Sequence, residues 1–239
     1  MNAPPPEVVD QLVHANRILY DQGVVDGLGH VSVRDPRKAD AFLLSCNRAP
    51  GLVRRQDIVS YDFEGNAVSE TSERPYLERF IHAEIYRARP DVLAVVHSHS
   101  PSVIPFASTK QPLRPVFHMS GFLGGGSAHF EIRESGGDTD MLISSSYLGQ
   151  ALAKSLGAHT CVLMRGHGST VVGASLQQAV YRAVYAEVNA KLQMAAMGIG
   201  AVTFLSEEEA RLSSSTNDGQ IERSWDLWIK RLAPLDLGG

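Results

Sequence analysis

Two histidines separated by a single residue constrain this chain most strongly. His97 and His99 follow directly on the apolar run 92–96. In a β-strand, residues i and i+2 point to the same face, so the two imidazoles can reach one point in space. A third histidine, His167, closes a second apolar run that starts at Cys161. A site of three imidazoles leaves coordination positions open, as catalytic metal sites do, so the pattern predicts metal-assisted chemistry.

Length and composition are those of one ordinary globular α/β domain, predicted to span residues 1–239. Hydrophobic residues make up 44% of the chain, charged residues 20%, and the formal net charge is −4. Lysine and arginine are scattered, which argues against a nucleic-acid partner. No apolar run reaches the roughly 18 residues that cross a bilayer, so no membrane partner is expected. The two cysteines are too few for a disulfide framework, and a cytoplasmic protein is predicted.

Hydrophobic periodicity and turn residues predict alternating helices and short strands. The predicted helices cover residues 8–20, 75–88, 100–107, 147–156, 174–197, 207–213 and 221–232. The predicted strands are the H-x-H strand and residues 29–34, 41–45, 57–63, 161–164 and 170–172. Residues 1–6 are expected to be disordered, 110–137 to form a long irregular loop, and 202–239 to form a C-terminal helical extension. This order predicts a three-layer α/β/α fold, with a sheet between two layers of helices.

Four ordered motifs resemble those of the class II aldolase/adducin family, from about Val9 to Gly198. They are Gly29-His30-Val31-Ser32-x-Arg34, a helix with His82-Ala83-Glu84-Ile85-Tyr86 preceded by Glu73, Val95-Val96-His97-Ser98-His99, and Arg165-Gly166-His167-Gly168. The resemblance implies a class II aldolase-like fold whose central, largely antiparallel sheet is flanked by helices. It also implies a homotetramer.

The same resemblance implies roles for individual residues. His97, His99 and His167 match the metal ligands of the family, and Glu73 matches the acid/base residue that lies beside the metal. The imidazole ligands suit Zn²⁺, whereas the decarboxylase members of the family imply Mn²⁺. Fe²⁺ would suit an oxygenase built on the same scaffold. The expected cofactor is therefore a divalent metal ion, with Mn²⁺ and Zn²⁺ as the two leading choices.

Departures from the aldolase pattern favour the decarboxylase branch of the family. Aldolases commonly have Asn where this chain has His30, and residues 45–50 replace the turn that holds the substrate phosphate. Arg48-Ala49-Pro50-x-Leu52-Val53 and the late Trp225-Asp226-Leu227-Trp228 are similar to decarboxylases of hydroxylated aromatic or pyridine dicarboxylates. The resemblance thus implies a metal-dependent carboxy-lyase in aromatic compound catabolism. An aldolase-type lyase acting on a small hydroxy-carbonyl compound and a metal-dependent oxygenase stay open as alternatives.

A small-molecule carboxylate substrate needs donor or cationic partners, because buried anions without partners are costly. Arg48, in the turn that replaces the phosphate loop, is the first candidate for substrate binding. His30 and Ser45 are candidates for lesser contacts. His118, in the long loop, is a second candidate acid/base residue, beside Glu73.

Overall fold

A seven-stranded sheet forms the centre of the computed structural model, which describes residues 3–68 and 71–232. The order across the sheet is β3-β2-β1-β4-β7-β6-β5, and every neighbouring pair is antiparallel except β5 and β6. The largely antiparallel sheet is therefore confirmed. The strands are β1 (His30–Arg34), β2 (Ala41–Ser45), β3 (Ile58–Asp62), β4 (Ala94–Ser98), β5 (Ala128–Phe130), β6 (Cys161–Met164) and β7 (Gly168–Gly173).

Helices cover both faces of this sheet. Side chains of α1, α6 and α8 pack on one face, and side chains of α2 and α5 pack on the other. The predicted three-layer α/β/α architecture is confirmed. The helices are α1 (Pro6–Asp21), α2 (Arg79–Ala88), α3 (Ile104–Ala107), α4 (Arg133–Gly136), α5 (Ser146–Leu156), α6 (Leu176–Ile199), α7 (Glu207–Asp218) and α8 (Ile221–Arg231). No helix of the described ranges is both long enough and apolar enough to cross a membrane.

The two-sided cover explains why the central strands are continuous apolar runs. In β4, Val95 packs in the core with α2 and α5, and Val96 packs in the core with α1 and α6. A sheet that is covered on both faces has no solvent face on which polar residues could alternate. Polar chemistry can therefore reach solvent only at the ends of the strands.

Helix α2 begins later than the sequence predicts. The prediction places its start at Pro75, but the helix begins at Arg79. The Tyr76 hydroxyl donates to the carbonyl of Arg48, and the Asn47 N–H donates to the Arg74 carbonyl over 2.7 Å. These bonds hold the preceding segment extended against the turn after β2, so helical hydrogen bonding starts only after it.

Other differences from the predicted elements are local. The loop predicted at 110–137 contains β5 and a 3-10 segment at His118–Leu123, and the helix predicted at 100–107 is reduced to α3. Helices α7 and α8 lie in the predicted C-terminal extension, while residues 233–239 lie outside the described residues. Of the lead-in predicted to be disordered, residues 1–2 lie outside the described residues, 3–5 have no helix or strand, and Pro6 already begins α1.

The crossing of α5 over α2 depends on a glycine, and we expect Gly149→Ala to lower the free energy of unfolding by about 1–3 kcal/mol. A Cβ at this position would lie 2.5 Å from the Phe80 carbonyl oxygen, so the helices would have to move apart. Gly198→Ala, in α6, is the matched control because no atom lies within 4 Å of its added Cβ. That variant should be stabilised by about 0.5 kcal/mol through helix propensity. Urea unfolding of both variants measures the difference, and equal stabilities would contradict the packing argument.

Candidate metal centre

The end of β4 and the turn before β7 lie side by side. In the ladder between these strands, His97 pairs with Thr170. His167 is in the tight turn that connects β6 to β7. A Cβ at Gly168 would lie 2.1 Å from the Ser98 carbonyl oxygen, so only glycine permits this close approach. The turn therefore places His167 over the end of β4.

Three imidazole nitrogens and one carboxylate oxygen converge at this place. His99 Nε2 lies 3.3 Å from His97 Nε2 and 3.0 Å from His167 Nε2. Glu78 Oε2 lies 3.6 Å from His97 Nε2 and 3.4 Å from His167 Nε2. All four donor atoms lie within 4.8 Å of one another. The structure thus brings the three predicted histidines together and adds Glu78, which the sequence analysis did not select.

The protonation states suit a cation. Burial lowers the pKa of His97 well below its ordinary value, although the nearby Glu78 carboxylate opposes this effect. Burial also lowers the pKa of His99. A neutral imidazole has one nitrogen with a free lone pair. The Nε2 atoms of His97 and His167 both lie close to His99 Nε2, and one proton on His99 Nε2 cannot form a good hydrogen bond to both. A set of three nitrogens and one oxygen is one that Zn²⁺, Mn²⁺ or Fe²⁺ accepts, so the residues present fit a divalent metal ion.

Glu78 supplies the negative charge of the cluster. Burial raises the pKa of Glu78, but the His97 and His167 imidazoles and the Ile143 N–H oppose burial and lower the pKa to about 2. The Ile143 N–H donates to Oε1 over 2.9 Å, which leaves Oε2 directed toward the histidines. On the other side, Thr170 Oγ1 lies 3.3 Å from His97 Nδ1 and orients that ring. The centre therefore combines an ionised carboxylate with the imidazoles of His97 and His99, whose charged forms burial disfavours.

Glu73 does not belong to this cluster. Its side chain is exposed, and its backbone N–H donates to Thr71 Oγ1 over 3.1 Å. The family resemblance gave the acid/base role to Glu73, as the glutamate ahead of a helix predicted to begin at Pro75. Since α2 begins at Arg79, the acid immediately ahead of the helix is Glu78. Its position four residues before His82, on the side of α2 that faces the sheet, could have identified it.

Two other predicted residues lie apart from the donor cluster. The His118 side chain is exposed, and its carbonyl accepts a hydrogen bond from Asn217 Nδ2 over 2.7 Å. Arg48 Nε donates to the Leu52 carbonyl over 3.0 Å and lies 3.2 Å from Asp57 Oδ2, so the guanidinium is engaged within its own turn. Neither side chain contacts the four donors within the described ranges.

His30 and Ser45 are buried beside the centre. The His30 ring lies 5.0 Å from the His97 ring, measured between centroids, because the two residues are paired across β1 and β4. Tyr76 packs against His30 with 4.7 Å between ring centroids, and Ser45 Oγ donates to the Tyr76 hydroxyl over 3.4 Å. His30, Tyr76 and Ser45 therefore form a polar group beside the four donors. Tyr76 was not among the residues predicted from the sequence.

The structure predicts that Glu78 and Glu73 differ in their effect on metal binding. Glu78→Gln removes the anionic donor, so we expect at least about a tenfold loss of affinity for Zn²⁺ or Mn²⁺. Glu73→Gln removes an exposed carboxylate and should leave the affinity unchanged. Competition against a chromophoric chelator measures both variants, with His99→Ala as a variant that should lose the ion. Equal affinities of the Glu78 and Glu73 variants would remove Glu78 from the ligand set.

Comparisons with known proteins agree with this geometry. Residues 10–194 match the model of the Class II Aldolase and Adducin N-terminal domain. Decarboxylase tropJ of Talaromyces stipitatus is 38% identical, over 97% of this chain and 96% of that protein. The 3,4-dihydroxyphthalate decarboxylase of Rhodococcus jostii is 30% identical, over 79% of this chain and 80% of that protein. The solved L-fuculose 1-phosphate aldolase from Glaciozyma antarctica is 25% identical with a TM-score of 0.77, covering 93% of this chain and 88% of that one. With its family model matched over most of its length, the chain belongs to the class II aldolase and adducin family.

Proposed function

We propose that this protein is a divalent-metal-dependent decarboxylase, a carbon–carbon lyase that removes CO₂ from a hydroxylated aromatic or pyridine dicarboxylate. The observation that carries the proposal is the convergence of Glu78 and the three histidines His97, His99 and His167 at the end of a sheet. Two relatives that match most of the chain are named decarboxylases, and one of these names specifies a dihydroxyphthalate. This substrate class is consistent with a site built to hold an electron-withdrawing cation.

The chemical difficulty is the charge that CO₂ leaves behind. Loss of CO₂ from an aromatic acid puts an electron pair on a ring carbon, and a bare aryl anion is too basic to form at neutral pH. A hydroxyl ortho to the carboxylate offers another route. When the ring carbon gains a proton and the hydroxyl loses one, the acid becomes a β-keto acid, and CO₂ departs as the electrons of the broken bond return to the oxygen.

Glu78 is suited to move that proton. Its carboxylate is ionised and directs Oε2 toward the histidines, so it is placed to accept the proton of the substrate hydroxyl and deliver it to the ring carbon. The carbon–carbon bond to the carboxylate then breaks and its electrons return to the oxygen, which restores the aromatic ring as a phenolate, and the oxygen is protonated afterwards. In the balanced reaction one proton replaces CO₂ on the ring. This role, which the family resemblance suggested for Glu73, is proposed here for Glu78 because of its position.

The chain's other polar groups would position the substrate. A bound divalent cation, Mn²⁺ or Zn²⁺, would act as a Lewis acid toward the hydroxyl and carboxylate oxygens, and Fe²⁺ is the corresponding ion for an oxygenase. His30 is proposed as a donor to a substrate oxygen because it is buried beside the centre, and Ser45 is proposed as a lesser contact that acts through the Tyr76 hydroxyl to which it donates. Arg48 is proposed for the second carboxylate, and its half-exposed guanidinium would have to share its charge with Asp57.

An aldolase reaction is the second candidate, favoured by the similarity to a solved L-fuculose 1-phosphate aldolase. The same four donors would serve it, since an enediolate also needs an adjacent cation. A phosphorylated substrate, however, needs free donors where this chain has His30 and the turn after β2. His30 has one ring nitrogen left besides Nδ1, which His82 engages, and Arg48 shares its charge with Asp57, so this turn offers fewer donors than a phosphate dianion needs.

A substrate panel decides between these reactions. Protein loaded with Mn²⁺ or Zn²⁺ is incubated with 3,4-dihydroxyphthalate, with 3-hydroxy-2-methylpyridine-4,5-dicarboxylate and with L-fuculose 1-phosphate, while CO₂, aldehyde and O₂ uptake are measured. We expect CO₂ from a hydroxylated acid and one deuterium on the vacated ring carbon when the reaction runs in D₂O. Glu78→Gln should reduce the rate by about 100-fold or more, and Glu73→Gln should not change it.

Aldehyde from the sugar phosphate without CO₂ from either acid would establish the aldolase reaction instead. Consumption of O₂ in step with the aromatic acid would establish an oxygenase. Chelator treatment followed by restoration with each metal identifies the ion, because only the functional metal restores the rate.

We also propose that the protein forms a homotetramer, as the family resemblance implies. Large apolar side chains are exposed toward the end of α6, where Met194 is 37%, Met197 is 41% and Ile199 is 89% accessible. Exposed apolar side chains clustered on one helix end are typical of a contact between subunits. Light scattering coupled to gel filtration should give four times the monomer mass, and Ile199→Glu should reduce it. A monomeric wild-type protein would contradict the proposal.

A further inference from the structure

A buried chain of hydrogen bonds leads from α2 to His30. The Tyr86 hydroxyl lies 2.8 Å from Ser32 Oγ, and Ser32 Oγ lies 2.6 Å from His82 Nδ1. His82 Nε2 in turn lies 2.6 Å from His30 Nδ1. All four residues are buried, with at most 3% of any of them exposed. None of these residues belongs to the four-donor cluster, but the last ring of the chain packs against His97.

The number of protons in this chain determines its direction. Both rings are buried, and neither hydrogen-bonds to a carboxylate of the described residues, so a second, charged proton on either ring would be costly and each ring carries one N–H. With the two hydroxyl protons, the four residues hold four protons for three contacts. One proton must therefore point out of the chain, from the Tyr86 hydroxyl, from the Ser32 hydroxyl or from His30 Nε2.

The Tyr86 end cannot accommodate that proton. The phenol has no second acceptor in the described part of the chain. Ser32 Oγ likewise has no polar contact there besides Tyr86 and His82, so its own proton must lie in one of these two contacts. A buried hydroxyl proton without an acceptor would cost about 1–3 kcal/mol. Tyr86 therefore donates to Ser32, Ser32 donates to His82 Nδ1, and His82 Nε2–H donates to His30 Nδ1.

The His30 end is open. His30 Nε2 has no hydrogen-bond partner among the described residues. It is also absent from the polar atoms there that are fully buried without a partner, so a ligand can reach it. We propose that the Tyr86-Ser32-His82 chain holds His30 in the tautomer protonated on Nε2, so that His30 presents an N–H donor to an anionic oxygen of the substrate beside the metal centre. This inference rests on the proposed function for the identity of the substrate, a hydroxylated aromatic carboxylate. In this proposal His30 is a hydrogen-bond donor to substrate, and neither a base nor a metal ligand. Ser32 and His82 are positioning residues that act through His30.

Histidine nitrogen spectra test the tautomer directly. Protein labelled with ¹⁵N-histidine and loaded with Zn²⁺ should show His30 with its proton on Nε2 and a bare Nδ1, and His82 with the same pattern. The His30 signals are assigned by their absence in His30→Gln. A proton on Nδ1 of His30 in the wild-type protein would overturn the proposal. These spectra need no substrate, so they decide the tautomer even if the decarboxylase assay fails.

Ser32→Ala tests the positioning role. Without the Ser32 hydroxyl, His82 Nδ1 loses its hydrogen-bond donor and His82 is no longer held in one tautomer, so the His30 nitrogen signals should move toward an average of the two tautomers. Ser60→Ala is the matched control, because Ser60 is also a buried strand serine and donates to Asp35 over 2.8 Å, away from this chain. We expect the control to keep the wild-type His30 signals. Identical His30 signals in both variants would contradict the role of Ser32.

A pair of His30 variants tests the donor function. In His30→Gln the amide oxygen can accept from His82 Nε2–H while the amide N–H₂ still donates, so we expect kcat/KM within about threefold of wild type. His30→Met has similar length and no donor, and should lose about tenfold or more, as for a lost hydrogen bond to a charged group. Metal content should be unchanged in both. Equal loss in the two variants, or loss of metal, would show that His30 is not a donor to substrate.

Discussion

The contact between the turn before β7 and the end of β4 is the constraint from which the candidate site follows. The absence of a side chain at Gly168 allows this turn to lie against the Ser98 carbonyl. Without this contact, His167 would be too far from His97 and His99 to share an ion with them. The cost of such close packing is offset by the two-sided core, since both strands are buried on both faces.

Burial gives the site its electrostatic character. His97 is fully buried, so its charged form is disfavoured and its lone pair is available. Glu78 would be expected to become neutral in the same surroundings, but its hydrogen bond from Ile143 and the adjacent imidazoles keep it ionised. One carboxylate and three imidazole nitrogens within 4.8 Å of one another form a donor set that fits a divalent cation. The proposed decarboxylation uses the same combination, because the carboxylate can carry a proton between two substrate atoms.

A second layer of polar groups supports this centre from behind. His30 is paired with His97 across the sheet, and its outer nitrogen has no protein partner in the described ranges. The chain through His82 and Ser32 crosses the layer between α2 and the sheet, so α2 supports both the carboxylate and this donor. If α2 started four residues earlier, both the position of the Glu78 carboxylate and the support of His30 by His82 would be disrupted. The bonds that hold Tyr76 to the turn after β2 therefore matter to the chemistry as well as to the fold.

The sequence by itself determined the layers, most of the elements and the three histidines, because periodicity and strand spacing report which residues share a face. It did not determine Glu78, since the choice between two glutamates depended on the residue at which α2 begins, and Tyr76 and the turn after β2 decide that through tertiary hydrogen bonds. Nor did it determine the partner of His30. His82 is remote in sequence from both His30 and Ser32, and it meets them only when α2 packs on β1. Local patterns show what a segment can form, whereas long-range contacts decide which of its side chains meet.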